Sequence, residues 1–230
     1  KSISVYYGNP NRTVPRSDGP KTFPVFDSFG GQGWERSKYI SNPVMGPGSI
    51  AGGSGTFSSV LRESDTLWRM YSSYDSDNRD IGMSTSTDGI TWTHQGVALR
   101  KGAPGTWDGS NIWCPAVWKE DTTYYMMYPA SGSSGTVMGL ATSTDGINWT
   151  KYANNPVFND PNWASGDTES PCFSVMKDNE TYYVMYNTLG AGKRQSSIAY
   201  STDLIHWTPA YNYARFPGGT DPSDWNYNMF

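Results

Sequence analysis

At 230 residues and a net charge of −4, the chain is long enough for one large all-β domain or two small ones, and it lacks the basic excess that binding a nucleic-acid backbone needs. Charged residues make up 17% and aromatic residues 15%, with 10 Trp and 16 Tyr, which excludes a disordered chain and points to many short strands. No apolar run approaches the roughly 18 residues that a membrane-spanning helix needs.

Taken in chain order, residues 1–44 read as the later strands of an incomplete unit, because WERSKYISNPVMGP from Trp34 mimics WTKYANNPVFNDP from Trp149. Three full units follow, at about 45–102, 103–160 and 161–218. Each opens on a short apolar strand: FSSVLR (57–62), CPAVWK (114–119) and CFSVMK (172–177). A polar turn leads to an aromatic strand: LWRMY (67–71), YYMMY (124–128) and YYVMY (182–186). The third strands are IGMSTST (81–87), MGLATST (138–144) and SSIAYST (196–202). Asp88-Gly89 and Asp145-Gly146 then predict tight type I′ hairpins, whose central positions both need positive φ. Leu204 replaces the glycine in the third copy, so a different turn is expected there. A fourth strand carries Trp92, Trp149 or Trp207. The closing DPSDWNYNMF, in 219–230, mimics the approach to a further first strand.

Three landmark series agree on the period. Asp88, Asp145 and Asp203 lie 57 and 58 residues apart, as do the three tryptophans and Tyr71, Tyr128 and Tyr186. Four antiparallel strands per unit, with no helical periodicity, predict an all-β fold: a single β-propeller domain over 1–230, with Trp and Tyr filling the faces between blades. About four repeats are present. Either the two ends combine into one closing blade, or the chain is a piece of a five-bladed ring.

Three stretches carry a family likeness. NPVMGPGSIAGGSGTFSSVLRESDTL, IWCPAVWK and TESPCFSVMKDNETYYVMY resemble the first-, second- and third-blade motifs of the five-bladed propellers of glycoside hydrolase family 43 and their fructan-cleaving relatives. The resemblance covers about residues 34–230 and implies a carbohydrate-active protein taking an oligosaccharide or polysaccharide. It implies three carboxylates around the central funnel: a base, a tuning acid and a proton donor. Glu169, with Ser170-Pro171, matches the proton donor; the tuning acid falls at Ala116 and the base at or beside Phe57. A propeller that binds glycan or protein without cleaving it is the alternative. No cofactor is implied; a structural calcium is permitted but not demanded.

Other carboxylates lie on the segments approaching the first strands. Asp108, six residues before CPAVWK, pairs with Glu169 as the expected catalytic couple; anchoring its loop is the other reading. Asp167, Asp224, Asp18 and Asp27 sit on similar segments. Glu169 is singled out because the matching positions elsewhere are Asn111 and Ser54. Trp107, Trp163 and Trp225 recur, and either stack on sugars or pack against blades, whereas Trp113 is unrepeated and reads as a ligand contact. Asn111, Trp107, Trp163 and Asp167 complete the expected substrate-binding set, and Arg36, Arg62 and Arg194 suit a carboxylated sugar or a rim position. Cys114 and Cys172 hold one register in neighbouring blades and read as free, buried thiols, a disulfide across the two blades being the other reading. Only His94 and His206 are present, so no His-rich metal site is expected. Low charge, many aromatics and a first residue other than Met point to export.

Overall fold

The computed structural model describes residues 58–74, 79–160, 174–190, 193–210 and 216–217. Blade 1 comprises β1 (Ser59–Ser64), β2 (Leu67–Tyr74), β3 (Asp80–Ser86) and β4 (Thr93–Leu99), hydrogen-bonded in that order. Blade 2 comprises β5 (Asn111–Ile112), β6 (Ala116–Glu120), β7 (Thr123–Gly132), β8 (Gly135–Ser143) and β9 (Thr150–Lys151). Strands β6, β7, β8 and β9 run in order, and β5 pairs with the far end of β7. Blade 3 comprises β10 (Ser174–Asp178), β11 (Thr181–Gly190), β12 (Lys193–Ser201) and β13 (Thr208–Pro209), with β14 (Phe216–Pro217) also against β12. All pairing is antiparallel, and the described residues contain no helix. These are blades of a β-propeller, as the repeat predicts; the expected outer bounds of the domain lie outside the described residues.

Side chains alternate across each strand, so every blade has two apolar faces. Met126, Tyr128 and Ala141 of blade 2 join Tyr71, Ile81, Met83 and Leu99 of blade 1 in one core. Met127, Met138 and Leu140, on the opposite face, join Tyr182, Val184, Tyr186 and Ala199 of blade 3 in a second. Each such side chain, fully buried, contributes about 1.5–3 kcal/mol.

One landmark series is misleading. Tyr128 and Tyr186 are equivalent, but Tyr71 is not their counterpart. A bulge between Arg62 and Ser64 absorbs one extra residue, so Arg62 pairs with Trp68 where Lys119 pairs with Tyr124 and Lys177 with Tyr182. A one-residue shift turns every later side chain of the strand over. Tyr71 therefore points forward at blade 2, as Met127 points at blade 3. It meets Trp149 edge to face at 5.5 Å and donates to the Gly146 carbonyl at 2.7 Å.

The Asp-Gly hairpins also differ from expectation. Positive φ occurs at Gly89 (73°), Gly146 (70°) and Leu204 (66°), but not at the preceding aspartates, so these are not type I′ turns. Side chains build them instead. Ser86, Ser143 and Ser201 hydroxyls donate to the aspartate two residues on, at 2.8–3.0 Å. Each aspartate accepts from the backbone N–H groups two and three residues further, at 2.7–2.9 Å. The N–H groups of Thr91 and Ile90 hold Asp88 down to about 2. Asn148 likewise depresses Asp145, and the His206 ring and N–H depress Asp203. Leu204 adopts the glycine conformation, at a cost of about 1–3 kcal/mol. Its burial in the second core, and a 2.9 Å bond from Trp207 Nε1 to its carbonyl, offset that strain.

A polar clamp repeats across both interfaces. Glu63 accepts from Tyr124 Oη at 2.5 Å, and Lys119 Nζ donates to the same hydroxyl at 3.0 Å. Glu120 accepts from Tyr182 Oη at 2.9 Å and from Lys177 Nζ at 2.6 Å. Each cation lies over its own blade's ring: Arg62 over Trp68 at 5.2 Å, Lys119 over Tyr124 at 4.5 Å and Lys177 over Tyr182 at 4.6 Å. Burial pushes Glu120 upward, but bonds from Lys177, Trp118 and Tyr182 together carry it below its ordinary range. Replacing Glu120 by Ala strands three donors at a blade junction, and urea unfolding is expected to show a loss of about 1–3 kcal/mol with an unchanged m-value. A loss inside about 0.5 kcal/mol would mean the clamp is idle.

Candidate functional site

The innermost strands β1, β6 and β10 converge on one cavity of about 410 Å³. Ser58, Ser59 and Val60 line it from blade 1, Pro115 to Trp118 from blade 2, and Ser174 and Val175 from blade 3. Small residues recur at its wall because Ser59, Ala116 and Ser174 hold one register, each opposite Tyr71, Met127 or Met185 of the second strand. Inner strands of adjacent blades do not form a ladder, and Ser59 bridges two of them. Its hydroxyl accepts from Val117 N–H at 3.0 Å and reaches the Val117 carbonyl at 3.3 Å. Of these wall residues the sequence pointed to Ala116; Ser59 and Ser174 escaped, although their shared register in the repeat was a signal that could have found them.

The entry to β6 is the most constrained backbone beside the cavity. Cys114 is buried and has φ +41°, a conformation that costs a side-chain-bearing residue about 1–3 kcal/mol. Ser73, at the end of blade 1's second strand, accepts from the Cys114 N–H at 3.0 Å, and the Pro129 carbonyl accepts from Trp113 N–H at 3.2 Å. Trp113 is half-buried, and its indole N–H is buried with no partner among the described residues. Asn111 lies on β5, half-buried, donating to Ser131 Oγ at 3.1 Å.

Asp108 has a different setting. It is 2% exposed and does not line the cavity. Lys151 Nζ, on the outer strand β9, donates to Oδ2 at 2.5 Å, and Thr106 Oγ1 to Oδ1 at 3.2 Å. A Cβ on Gly102 would lie 2.2 Å from Asp108 Oδ1, so glycine is required for this approach. These contacts are those of the loop-anchoring reading. Trp107 packs with them, 6.1 Å from the Tyr128 ring and over Gly139, where a Cβ would meet the indole at 2.6 Å. Burial first, then the Asp108 charge, push the Tyr128 hydroxyl far up. Arg62 is exposed and paired with Asp65 at 2.7 Å.

Ala116 lies in the cavity wall, so that position brings no carboxylate. Glu169, Asp167, Trp163, Cys172, Phe57 and the expected acids at Asp18, Asp27 and Asp224 lie outside the described residues, as do Trp225 and Arg36. Among the described residues, no three His, Cys, Asp or Glu side chains converge as metal ligands.

Residues 56–216 match the family described as the glycosyl hydrolases family 32 N-terminal domain. The probable arabinan endo-1,5-alpha-L-arabinosidase C of Aspergillus fumigatus is 28% identical over 203 residues, covering 77% of this chain and 63% of that one. Its Aspergillus niger counterpart is 38% identical over 95 residues, 34% of this chain and 30% of that one. The chain thus spans less than two thirds of these relatives' length. Among solved structures, sucrose-6-phosphate hydrolase from Lactobacillus gasseri aligns with TM-score 0.56 at 15% identity, over 71% of this chain and 34% of that one. The family 117 glycoside hydrolase Zg3597 of Zobellia galactanivorans aligns with TM-score 0.55 at 16% identity, over 70% and 57%. These two show a shared fold.

If Asp108 anchors its loop, Asp108→Ala leaves Lys151 facing a buried gap and is expected to lower stability by about 2–4 kcal/mol in chemical denaturation. Lys151→Met should cost at least as much, because it leaves the Asp108 carboxylate, the more deeply buried partner, without its cation. A change for Asp108→Ala within about 0.5 kcal/mol would contradict the anchoring role.

Proposed function

The chain belongs to the glycosyl hydrolases family 32 N-terminal domain family, and from this we propose that it cleaves a glycan at the mouth of the cavity between the inner strands, with arabinan the first substrate to test. The observation that carries the reading is the cavity itself. Inner strands of three blades meet there, and its volume of about 410 Å³ falls among those of small-ligand sites, roughly 300–1,000 Å³. The curated relatives, named for arabinan cleavage, direct the choice of substrate.

In this proposal Glu169 holds a proton and gives it to the glycosidic oxygen as the bond to the anomeric carbon breaks. Water supplies the oxygen that joins the anomeric carbon, and its proton passes to a second carboxylate. That carboxylate comes from an approach segment, because Phe57, at the expected base position, and Ala116 supply none. Trp113, two residues before the lining Pro115, is half-buried, and the exposed part of its ring offers an apolar platform for a sugar face. Asp167 and Trp163 complete the binding surface, and a polysaccharide substrate places the protein outside the cell.

One observation favours a second reading. Alanine stands in the cavity wall where the family resemblance places the tuning acid. A propeller without that acid binds glycan and does not cleave it. Reducing-sugar release from arabinan, with xylan, galactan and fructan beside it, separates the two. Release by the parent that vanishes in Glu169→Gln is the expected result. Retained binding without release, in a folded parent, supports the second reading; release that survives Glu169→Gln removes Glu169 from the mechanism.

A further inference from the structure

The sequence holds three Asn-x-Thr triplets, at Asn11, Asn148 and Asn179, and the proposed catalysis uses none of them. Asn11 lies outside the described residues. The other two stand at hairpins, in opposite circumstances. Asn148 is part of what closes its turn. Its backbone N–H donates to Asp145 Oδ1 at 2.8 Å, and its side-chain Nδ2 donates to Asp145 Oδ2 at 2.8 Å. A sugar on that nitrogen would press against the carboxylate on which the hairpin closes. Asn179 has no such duty. Asn179 and Glu180, both exposed, form the turn between β10 and β11, closed by the pairing of Asp178 with Thr181. The Asn179 Nδ2 donates sideways to Oδ1 of its exposed neighbour Asp178 at 3.2 Å. Its φ of 52° matches the 51° of Asp121 at the same place in blade 2, so this turn takes either residue. Blade 2 reads Asp121-Thr122-Thr123 there and blade 3 reads Asn179-Glu180-Thr181; exchanging Asp for Asn is what creates the triplet.

We propose that Asn179 is a modification site, the acceptor of an N-linked oligosaccharide added in a eukaryotic secretory pathway, and that Asn148 is not. The donor is an oligosaccharide carried on a polyprenyl diphosphate. The Asn179 side-chain nitrogen forms a bond to the anomeric carbon and gives up one proton. The bond from that carbon to the diphosphate oxygen breaks, and the diphosphate leaves with the electron pair. Such a bulky polar group needs an exposed turn, which Asn179 offers. The turn lies at the end of β10 away from the cavity. Val175 lines the cavity, and at about 3.3 Å per residue Asn179 stands about 13 Å beyond it along the strand. A glycan there covers the rim and leaves the cavity open. The inference rests on export, which the proposed function implies, and not on glycan cleavage.

The experiment expresses the full chain behind a secretory leader in a eukaryotic host. An amidase then frees N-linked glycans from the secreted protein in heavy-oxygen water, so that each formerly occupied asparagine becomes a labelled aspartate, read by peptide mass spectrometry. The expected result is label at Asn179 in most molecules and none at Asn148. Asn179→Asp, which installs the residue that blade 2 carries, and Thr181→Val should each abolish the label and the matching step in gel mobility. Both variants should keep the melting temperature of the deglycosylated parent, which shows that the acceptor and not the fold was lost. A bare Asn179 in the secreted protein would overturn the proposal. Label at Asn148 equal to that at Asn179 would overturn the distinction between the two turns. Should little protein be secreted, the same peptides from the pool retained in the cell decide, because transfer precedes export, and a bare Asn179 there is equally fatal. Sugar release enters neither readout, so a chain that cleaves nothing leaves the test intact.

Discussion

Each blade is a sheet with two apolar faces, and the described residues contain no helix to cover either one. Everything else follows from that constraint. A face is buried only by the next blade, so the repeat must deliver matching side chains at a fixed period. Met126 and Tyr128 serve one interface of blade 2 while Met127 and Leu140 serve the other. Hydrophobic burial gives the attraction but little registration. The clamps supply it: a carboxylate on one blade accepts from a tyrosine hydroxyl on the next, and a lysine of that next blade donates to the same hydroxyl, at bonding distances that a slipped interface would lose.

The same repetition shapes the candidate site. Because the three inner strands enter at one register, their small residues meet around a shared cavity. The scaffold repeats; the entry segments do not. Trp113 and Cys114 stand on such a segment, held by Ser73 from the neighbouring blade. A ligand at that cavity would touch unrepeated residues supported by repeated ones, which lets chemistry vary while packing stays fixed.

Strand order, hairpin positions and the blade period were legible in the sequence, because local composition decides them. Ser86 and Asp88, with their counterparts, mark each hairpin within a few residues. What the sequence hid is non-local or depends on one residue. The extra residue at the Arg62–Ser64 bulge leaves the spacing of Tyr71, Tyr128 and Tyr186 intact and yet turns Tyr71 to the opposite face. Leu204 was expected to change its turn, and burial let it adopt the glycine conformation instead. The partner that holds Asp108, Lys151, is 43 residues away, so no local window of sequence shows the pair. Glu63 and Tyr124 are separated by 61 residues and belong to different blades, so no window along the chain shows their bond. The acids on the approach segments were visible as letters, but which of them converge is a matter of three-dimensional placement.

The central claim is that ligand binds where the inner strands meet. Hydrogen–deuterium exchange with and without saturating arabino-oligosaccharide tests it most directly. Protection should appear in peptides covering residues 58–60, 111–118 and 174–175, with the outer hairpins at 86–92, 143–149 and 201–207 unchanged. Protection confined to the outer hairpins, or none at the inner strands while binding is independently measured, would contradict the claim.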